Sequence, residues 1–198
     1  MPADIERARE AAIRLLLEQN PAVMPVQVPK LRFPVSILFD SMEGFCRVTN
    51  ATMEQLSGWD CLQDGCTLVI NRKGRRCYLV LYHTNQSGQR LNFTLAHEAG
   101  HILLGHTGDG DREEREANAF AAELLMPRIL ARELMRRFHS QTEPAQELAY
   151  AFSTSLAVAK LRLKTLAGHP TPLEQRLLRR YGPILPDPVR PDILSRIW

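Results

Sequence analysis

His97, Glu98 and His101 stand in the run Phe93-Thr94-Leu95-Ala96-His97-Glu98-Ala99-Gly100-His101-Ile102-Leu103-Leu104-Gly105-His106, which reads as one helix carrying an H-E-x-x-H motif. Two histidines four residues apart lie one turn from each other on the same helix face, so both imidazoles can reach one zinc ion. Glu98 projects beside the first of them. That places a carboxylate near the metal's open position, where it can take a proton from water instead of occupying a coordination site. A chance match would leave only a solvated polar face, but the context argues for a metal. Asn92 is placed to cap the helix start, and Phe93, Ala96, Gly100, Leu103 and Leu104 recur at the spacing of a buried face.

A catalytic zinc needs a third protein ligand besides water. The run Thr107-Gly108-Asp109-Gly110-Asp111 reverses the chain, and an acidic helix, 113–126, follows until Pro127 stops it. At 100° per residue its buried stripe passes through Ala117, Phe120, Ala121, Leu124 and Leu125. Glu113 and Glu114 lie at the edges of that stripe, while Glu116 falls to one side. Glu114 is the better inward ligand, with Asn118 one turn along to orient it or a ligand histidine. Carboxylates at a helix start are also favoured by the macrodipole alone, which accounts for some of this acidic run.

Other elements must position these groups. Aliphatics at Ile5, Ala8, Ala12, Leu15 and Leu16 give residues 4–19 an amphipathic stripe capped by Asp4, and Asn20-Pro21 ends it. Four prolines make 21–34 an extended connector. A short strand or helical turn is expected at 35–39, a strand at 45–48 and a short helix at 52–57. The β-rich runs 66–70 and 77–82, separated by Asn71-Arg72-Lys73-Gly74-Arg75-Arg76, form a hairpin with a basic tip. A sheet edge beside the metal helix could hold an extended peptide by strand addition, although a purely structural hairpin reads equally well. Helices are expected at 129–138, within 147–166 as one or two, and around 173–180.

The 198 residues and 44% hydrophobic content suit one domain with a small appendage: residues 1–168 as a metal-binding domain and 169–198 as a basic, Pro-rich tail. No apolar run approaches a membrane span, and residues 1–20 do not read as a signal peptide, so a soluble cytoplasmic protein is expected. Cys46, Cys61, Cys66 and Cys77 lack C-x-x-C spacing and are expected to be buried free thiols. The net charge of +3 is uneven: from Lys160 onward eight Lys or Arg face three acids. An anionic partner would bind there. The pair Glu147-Leu148-Ala149-Tyr150-Ala151-Phe152-Ser153-Thr154-Ser155 and Val158-Ala159-Lys160-Leu161-Arg162-Leu163-Lys164 has a helix-turn-helix look, with ordinary core packing the plainer reading.

The segments Asn92-Phe93-Thr94-Leu95-Ala96-His97-Glu98-Ala99-Gly100-His101 and Glu114-Arg115-Glu116-Ala117-Asn118-Ala119-Phe120-Ala121-Ala122-Glu123-Leu124-Leu125-Met126-Pro127 together resemble the ImmA/IrrE metallopeptidases. Ala99 departs from that family's bulkier aliphatic. The resemblance implies an α+β fold of the small zincin or minigluzincin type, with a short, partly antiparallel sheet packed on the metal helix and helices after it. It implies zinc on His97, His101 and a glutamate of the E-x-E-A-N segment, Glu114 or Glu116, and Glu98 as the catalytic base. It also implies proteolysis of a protein target, a helix-turn-helix transcriptional repressor.

A zinc peptidase needs a further donor for the tetrahedral oxyanion, and His106, Tyr150, Tyr82 and His83 are candidates. His106 lies about 140° round the helix from His101 and reads equally as a residue behind the ligands or as surface. The rival reading is a non-catalytic regulator that keeps this scaffold and binds a repressor or nucleic acid through its basic C-terminal region. Intact His97, Glu98 and His101 count against it.

Overall fold

The computed structural model describes residues 2–57, 64–72, 74–108, 110–137 and 143–187. In chain order these form α1 (Ile5–Glu18), a 3-10 turn (Val28–Lys30), β1 (Ile37–Ser41), α2 (Met42–Thr49), α3 (Met53–Ser57), β2 (Gly65–Arg72) and β3 (Arg75–Tyr82). There follow α4 (Gly88–Leu104), α5 (Asp111–Leu125), α6 (Arg128–Arg137), α7 (Pro144–Phe152), α8 (Leu156–Leu163), α9 (Pro172–Tyr181) and a second 3-10 turn (Gly182–Ile184). The fold is α+β. None of the described helices is long and apolar enough to cross a membrane. The chain divides into two compact units, Met1–Ala8 with Gln27–Ala121 and Arg9–Val26 with Ala122–Trp198.

The first unit is built on a three-stranded sheet of order β1-β3-β2. The expected hairpin is present as the antiparallel β2–β3 pair, with Val69 opposite Tyr78 and Asn71 opposite Arg76. The short element expected at 35–39 is β1, parallel to β3, with Leu38 beside Leu79. Because strand side chains alternate between faces, Leu79 and Leu81 of β3 point one way with Leu68 and Ile70 of β2, and Met42 and Phe45 of α2 pack on them. Thr67, Val69, Tyr78 and Val80 point the other way, the side on which α4 lies against β2 and β3. That second face meets the chemistry.

Two local expectations fail here. Residues 45–48 are helical, not extended, within α2. The Ser41 hydroxyl caps that helix by accepting the Gly44 N–H at 2.9 Å, and Met42 and Phe45, three residues apart, both reach the sheet. Val48, the one β-branched residue of the four, is 82% exposed and has no strand neighbour to pack against. Cys66 is disulfide-bonded, whereas Cys46 and Cys77 are free thiols as expected. The expected helix at 52–57 is α3.

The second unit is helical. The stripe expected on α1 is buried at Ala8, Ala12, Leu15 and Leu16, and Asp4 caps the helix by accepting the Arg7 N–H at 3.0 Å. Tyr181 of α9, fully buried, donates its hydroxyl to the Leu16 carbonyl at 2.9 Å. The helix expected at 129–138 is α6, and the helix-turn-helix look belongs to α7 and α8. Ser153 in the left-handed region (φ 50°) ends α7, and Ser155 caps α8. Arg162, which gave α8 part of its basic character, is turned inward onto Glu123 at 3.0 Å, and Lys160 and Lys164 remain exposed. His139 and Trp198, expected at the surface and docking the tail, lie outside the described residues.

Arg128 and Glu174 join α6 to α9 by a two-pronged pair, Nε to Oε1 at 2.9 Å and Nη2 to Oε2 at 2.7 Å. Glu174 also closes a capping box with Thr171 at the start of α9. Burial alone would push this carboxyl up, but the Arg128 fork and the Thr171 N–H outweigh it, and its pKa lies below the usual carboxylate value. Its stabilisation is therefore complete above the normal carboxylate range and is lost as pH falls through the lowered value. We expect Glu174→Gln to lower stability at neutral pH by about 1–3 kcal/mol, since it removes the negative charge paired with a largely buried guanidinium, whose bonds to the Ala167 and His169 carbonyls remain. Denaturant unfolding of the variant at pH 7 and at pH 3 checks this, with a smaller difference expected in acid.

Candidate metal centre

Helix α4 starts at Gly88, five residues before the expected Phe93. Ser87 caps it by accepting the Arg90 N–H, and Asn92, expected as the cap, sits within the first turns instead. Its carboxamide is engaged elsewhere, where Oδ1 accepts the Val28 N–H at 2.9 Å and ties the 3-10 turn of the connector to α4. At the other end Gly105 takes the left-handed conformation (φ 74°) and caps the helix one residue short of His106. Ala96, Gly100 and Leu104 are buried as the spacing predicts, and Phe93 and Leu103 are half-buried.

Gly100 lets α5 come close. A Cβ there would stand 3.1 Å from the Phe120 ring and 3.3 Å from the Ala117 Cα and carbonyl oxygen. Gly65 does the same at the start of β2, where a Cβ would stand 2.7 Å from the Thr94 methyl and 3.6 Å from the Glu98 Cγ. Helix α4 is thus gripped between a strand and a helix at the level of its functional residues. The α5 stripe Ala117, Phe120, Ala121, Leu124 and Leu125 is buried as expected, which sets the rotation of α5 and aims Glu114 at α4.

His97, His101 and Glu114 converge. One donor atom from each lies within 4.8 Å of the others, a group that can hold a metal ion. The two Nε2 atoms are 3.0 Å apart, and the Glu114 carboxylate lies 3.5 Å from His97 Nε2 and 3.3 Å from His101 Nε2. All three side chains are partly exposed, so the position is open to solvent. Behind His97, its Nδ1 meets Asn118 Oδ1 at 3.2 Å. An amide oxygen only accepts, so His97 carries its proton on Nδ1 and turns an Nε2 lone pair inward. A lone pair and a carboxylate facing one point, with a second imidazole nitrogen beside them, is a donor set suited to a divalent cation. Two imidazoles and one carboxylate match the ligand preferences of zinc.

Glu116, the alternative third ligand, is only 1% exposed and lies elsewhere. Its carboxylate accepts the Asp4 N–H and the Arg112 Nε–H, each at 2.9 Å, and these two donors hold its pKa down to about 2. Its second oxygen meets His106 Nε2 at 3.0 Å. His106 is accordingly neither a surface residue nor free to serve a substrate oxyanion: its Nδ1 meets His101 Nδ1 at 3.2 Å.

Glu98 is not among the three converging groups. Its Oε2 accepts the Thr67 hydroxyl of β2 at 2.6 Å, which fixes the carboxylate at the strand side of the site. The site opens into a cleft of about 590 Å³ walled by Val69, Arg76, Tyr78 and Ile102, with His97, Glu98 and Glu114 on its floor. A second hollow of about 430 Å³, lined by Asp64, Arg90, Phe93 and Asn118, shares those floor residues. Its rim is braced by the Arg90–Asp64 ion pair at 2.5 Å and by Gln86, which spans the Asp64 carbonyl and Thr94.

Of the residues expected to serve the oxyanion, Tyr82 and His83 line neither hollow, and Tyr150 belongs to the second unit. Tyr78, Arg76 and Thr67 were not singled out from the sequence. The signal was there in the strand period, since Thr67 and Val69 on β2 and Arg76 and Tyr78 on β3 share one face. What was missing was which face α4 covers.

Two helices that bring an H-E-x-x-H motif and a glutamate together against a small mixed sheet are compatible with a small zincin-like domain. The sequence agrees: residues 68–164, from within β2 to just past α8, match the family described as Peptidase_M78, IrrE N-terminal-like domain. That match, over 97 of the 198 residues, supports an ImmA/IrrE family metallopeptidase. None of the curated proteins matches it.

The α4–α5 approach generates a test. Gly100→Val adds three carbons where the nearest backbone atoms stand 3.3 Å from the first of them, so α5 must shift away. We expect a loss of about 1–3 kcal/mol in denaturant unfolding. Zinc affinity should fall in the same variant, because Glu114 moves with α5.

Proposed function

We propose that this protein is a zinc-dependent endopeptidase that cuts a protein target, with His97, His101 and Glu114 as the metal ligands and Glu98 as the general base. The observation that carries the reading is the convergence of the three side chains within 4.8 Å of one another beside a separately held carboxylate. A zinc ion bound there supplies a Lewis acid for the scissile carbonyl and brings a water's pKa toward about 7.

The chain's own residues do the rest. Glu98 takes the proton from the attacking water and returns it to the leaving amine, which a carboxylate close to the ligands but outside the set can do. The Thr67 hydroxyl, at 2.6 Å, holds that carboxylate in one rotamer between the two transfers. Tyr78 lines the same cleft and takes over the oxyanion role expected of Tyr82 or His83, because its phenol offers a donor on the cleft wall. An extended peptide fits the paired hollows, with β2 as the edge strand beside them among the described residues. The basic wall at Arg76 favours an acidic residue on that side.

The target we favour is a helix-turn-helix repressor in the cytoplasm, whose cleavage would regulate gene expression. The proposed division keeps 1–168 as the peptidase and 169–198 as a basic tail. The rival reading, a non-catalytic regulator acting through its basic C-terminal residues, is weakened where Arg162 is consumed by Glu123 and Arg180 by the Leu17 and Gln19 carbonyls.

Two variants test the proposal. Glu98→Gln should keep one zinc per chain and lose at least about 10²-fold in peptide hydrolysis, the scale of general-base catalysis. Cleavage at the wild-type rate would remove Glu98 from the role. Glu114→Ala should lose stoichiometric zinc, measured by metal analysis after dialysis. A fully loaded variant would mean that the third ligand lies elsewhere.

A further inference from the structure

Glu116 and His106 form a chain of contacts that ends on His101, and the chemistry of its members decides where each proton sits. The Glu116 carboxylate, buried, is met by three groups: the Asp4 N–H and Arg112 Nε–H on Oε1 and His106 Nε2 on Oε2. Two of these are donors with no alternative role. They hold the carboxylate ionised, and an ionised carboxylate can only accept. The proton between Glu116 and His106 therefore lies on His106 Nε2.

A neutral imidazole with its proton on Nε2 has a lone pair on Nδ1. That lone pair faces His101 Nδ1 at 3.2 Å, with the two rings edge to face and their centroids 4.9 Å apart. Two lone pairs at that distance repel unless a cation lies between them, as one can between the two Nε2 atoms; between the Nδ1 atoms that place is filled by a proton, carried on His101 Nδ1. Its Nε2 is then a lone pair, directed toward His97 Nε2 and Glu114. The opposite assignment would put a proton on His101 Nε2, in the place where a metal would bind.

We propose that Glu116 and His106 are positioning residues that fix His101 as its Nδ1–H tautomer and so aim its lone pair at the metal. The two acids of the Glu114-Arg115-Glu116 segment then have separate roles on one helix. Glu114 faces the ion directly, and Glu116 reaches it through two imidazoles. His97 is served by a neutral amide, Asn118, and His101 by a charged relay, so the histidines are not equivalent.

The inference rests on the reading of His101 as a ligand, and the experiment separates the two. Zinc affinity is measured by chelator competition for wild type, His101→Ala, His106→Phe and His106→Asn. The phenyl ring of His106→Phe fills the volume but accepts nothing, and its affinity should fall about 10–100-fold. The asparagine oxygen stands near the place of Nδ1 and can accept the His101 proton, so His106→Asn should recover much of that loss. A packing role alone would give the reverse order. Nitrogen-15 spectra of the zinc-loaded wild type should report His106 as the Nε2–H tautomer. Wild-type affinity in His106→Phe, or a proton on His106 Nδ1, overturns the relay. Undiminished affinity in His101→Ala overturns the ligand reading beneath it.

Discussion

The close approach of α5 to α4 at Gly100 is the constraint on which the site depends. Three groups that all present electron pairs must be held within one ion's reach, and nothing in their own interactions favours that before a cation arrives. The cost is met by packing elsewhere. Ala117 and Phe120 on α5 are completely buried and meet α4 at Gly100, whose missing side chain lets the two helices come close. A larger residue at position 100 would meet Phe120 and Ala117 and none of the three converging groups, yet it would separate Glu114 from the histidines. Ala99, the departure from the family's usual aliphatic, is fully buried on the same helix and suits a tightly packed site.

The N-terminal end of α1 is a second support, and it works on backbone groups. Arg7 donates to the Leu104 carbonyl at 2.9 Å, satisfying an acceptor that the end of α4 leaves without a helical partner. Asp4 offers its N–H to Glu116 while its side chain caps its own helix. Two neighbouring turns of the first few residues thus hold one end of the metal helix and the carboxylate behind it. Residues far apart in sequence, 4 and 116 or 7 and 104, meet because one group of each pair, the Asp4 N–H or the Leu104 carbonyl, is a helix-terminal group that a side chain from elsewhere satisfies.

The sequence was most legible where chemistry and period coincide. The convergence of His97, His101 and Glu114 needed only the pitch of a helix and the direction of a buried stripe, and α5 packs on that stripe. The hairpin and α6 to α9 followed from periodicity and from the stop at Pro127. Local cues failed where a long-range partner took them over. Asn92 has the composition of a cap, but a connector 64 residues earlier claims its carboxamide. Phe45 to Val48 has no strong preference of its own, and capping by Ser41 decided for helix. His106 looked ambiguous because its two partners, His101 and Glu116, come from different helices.

The placement of Glu98 shows why the sheet belongs to the site as well as supporting it. A glutamate next to a metal tends to turn onto the metal and become a ligand. Here Thr67 opposes that turn: its hydroxyl binds Oε2 at 2.6 Å from the strand side, away from the converging donors. The strand can come so near because Gly65, two residues earlier, has no side chain to collide with Thr94. The edge strand that would pair with a peptide is therefore the same strand that holds the proposed base. A peptide aligned on β2 is aligned on Glu98 too, and the register that sets its pairing sets the bond presented to that carboxylate.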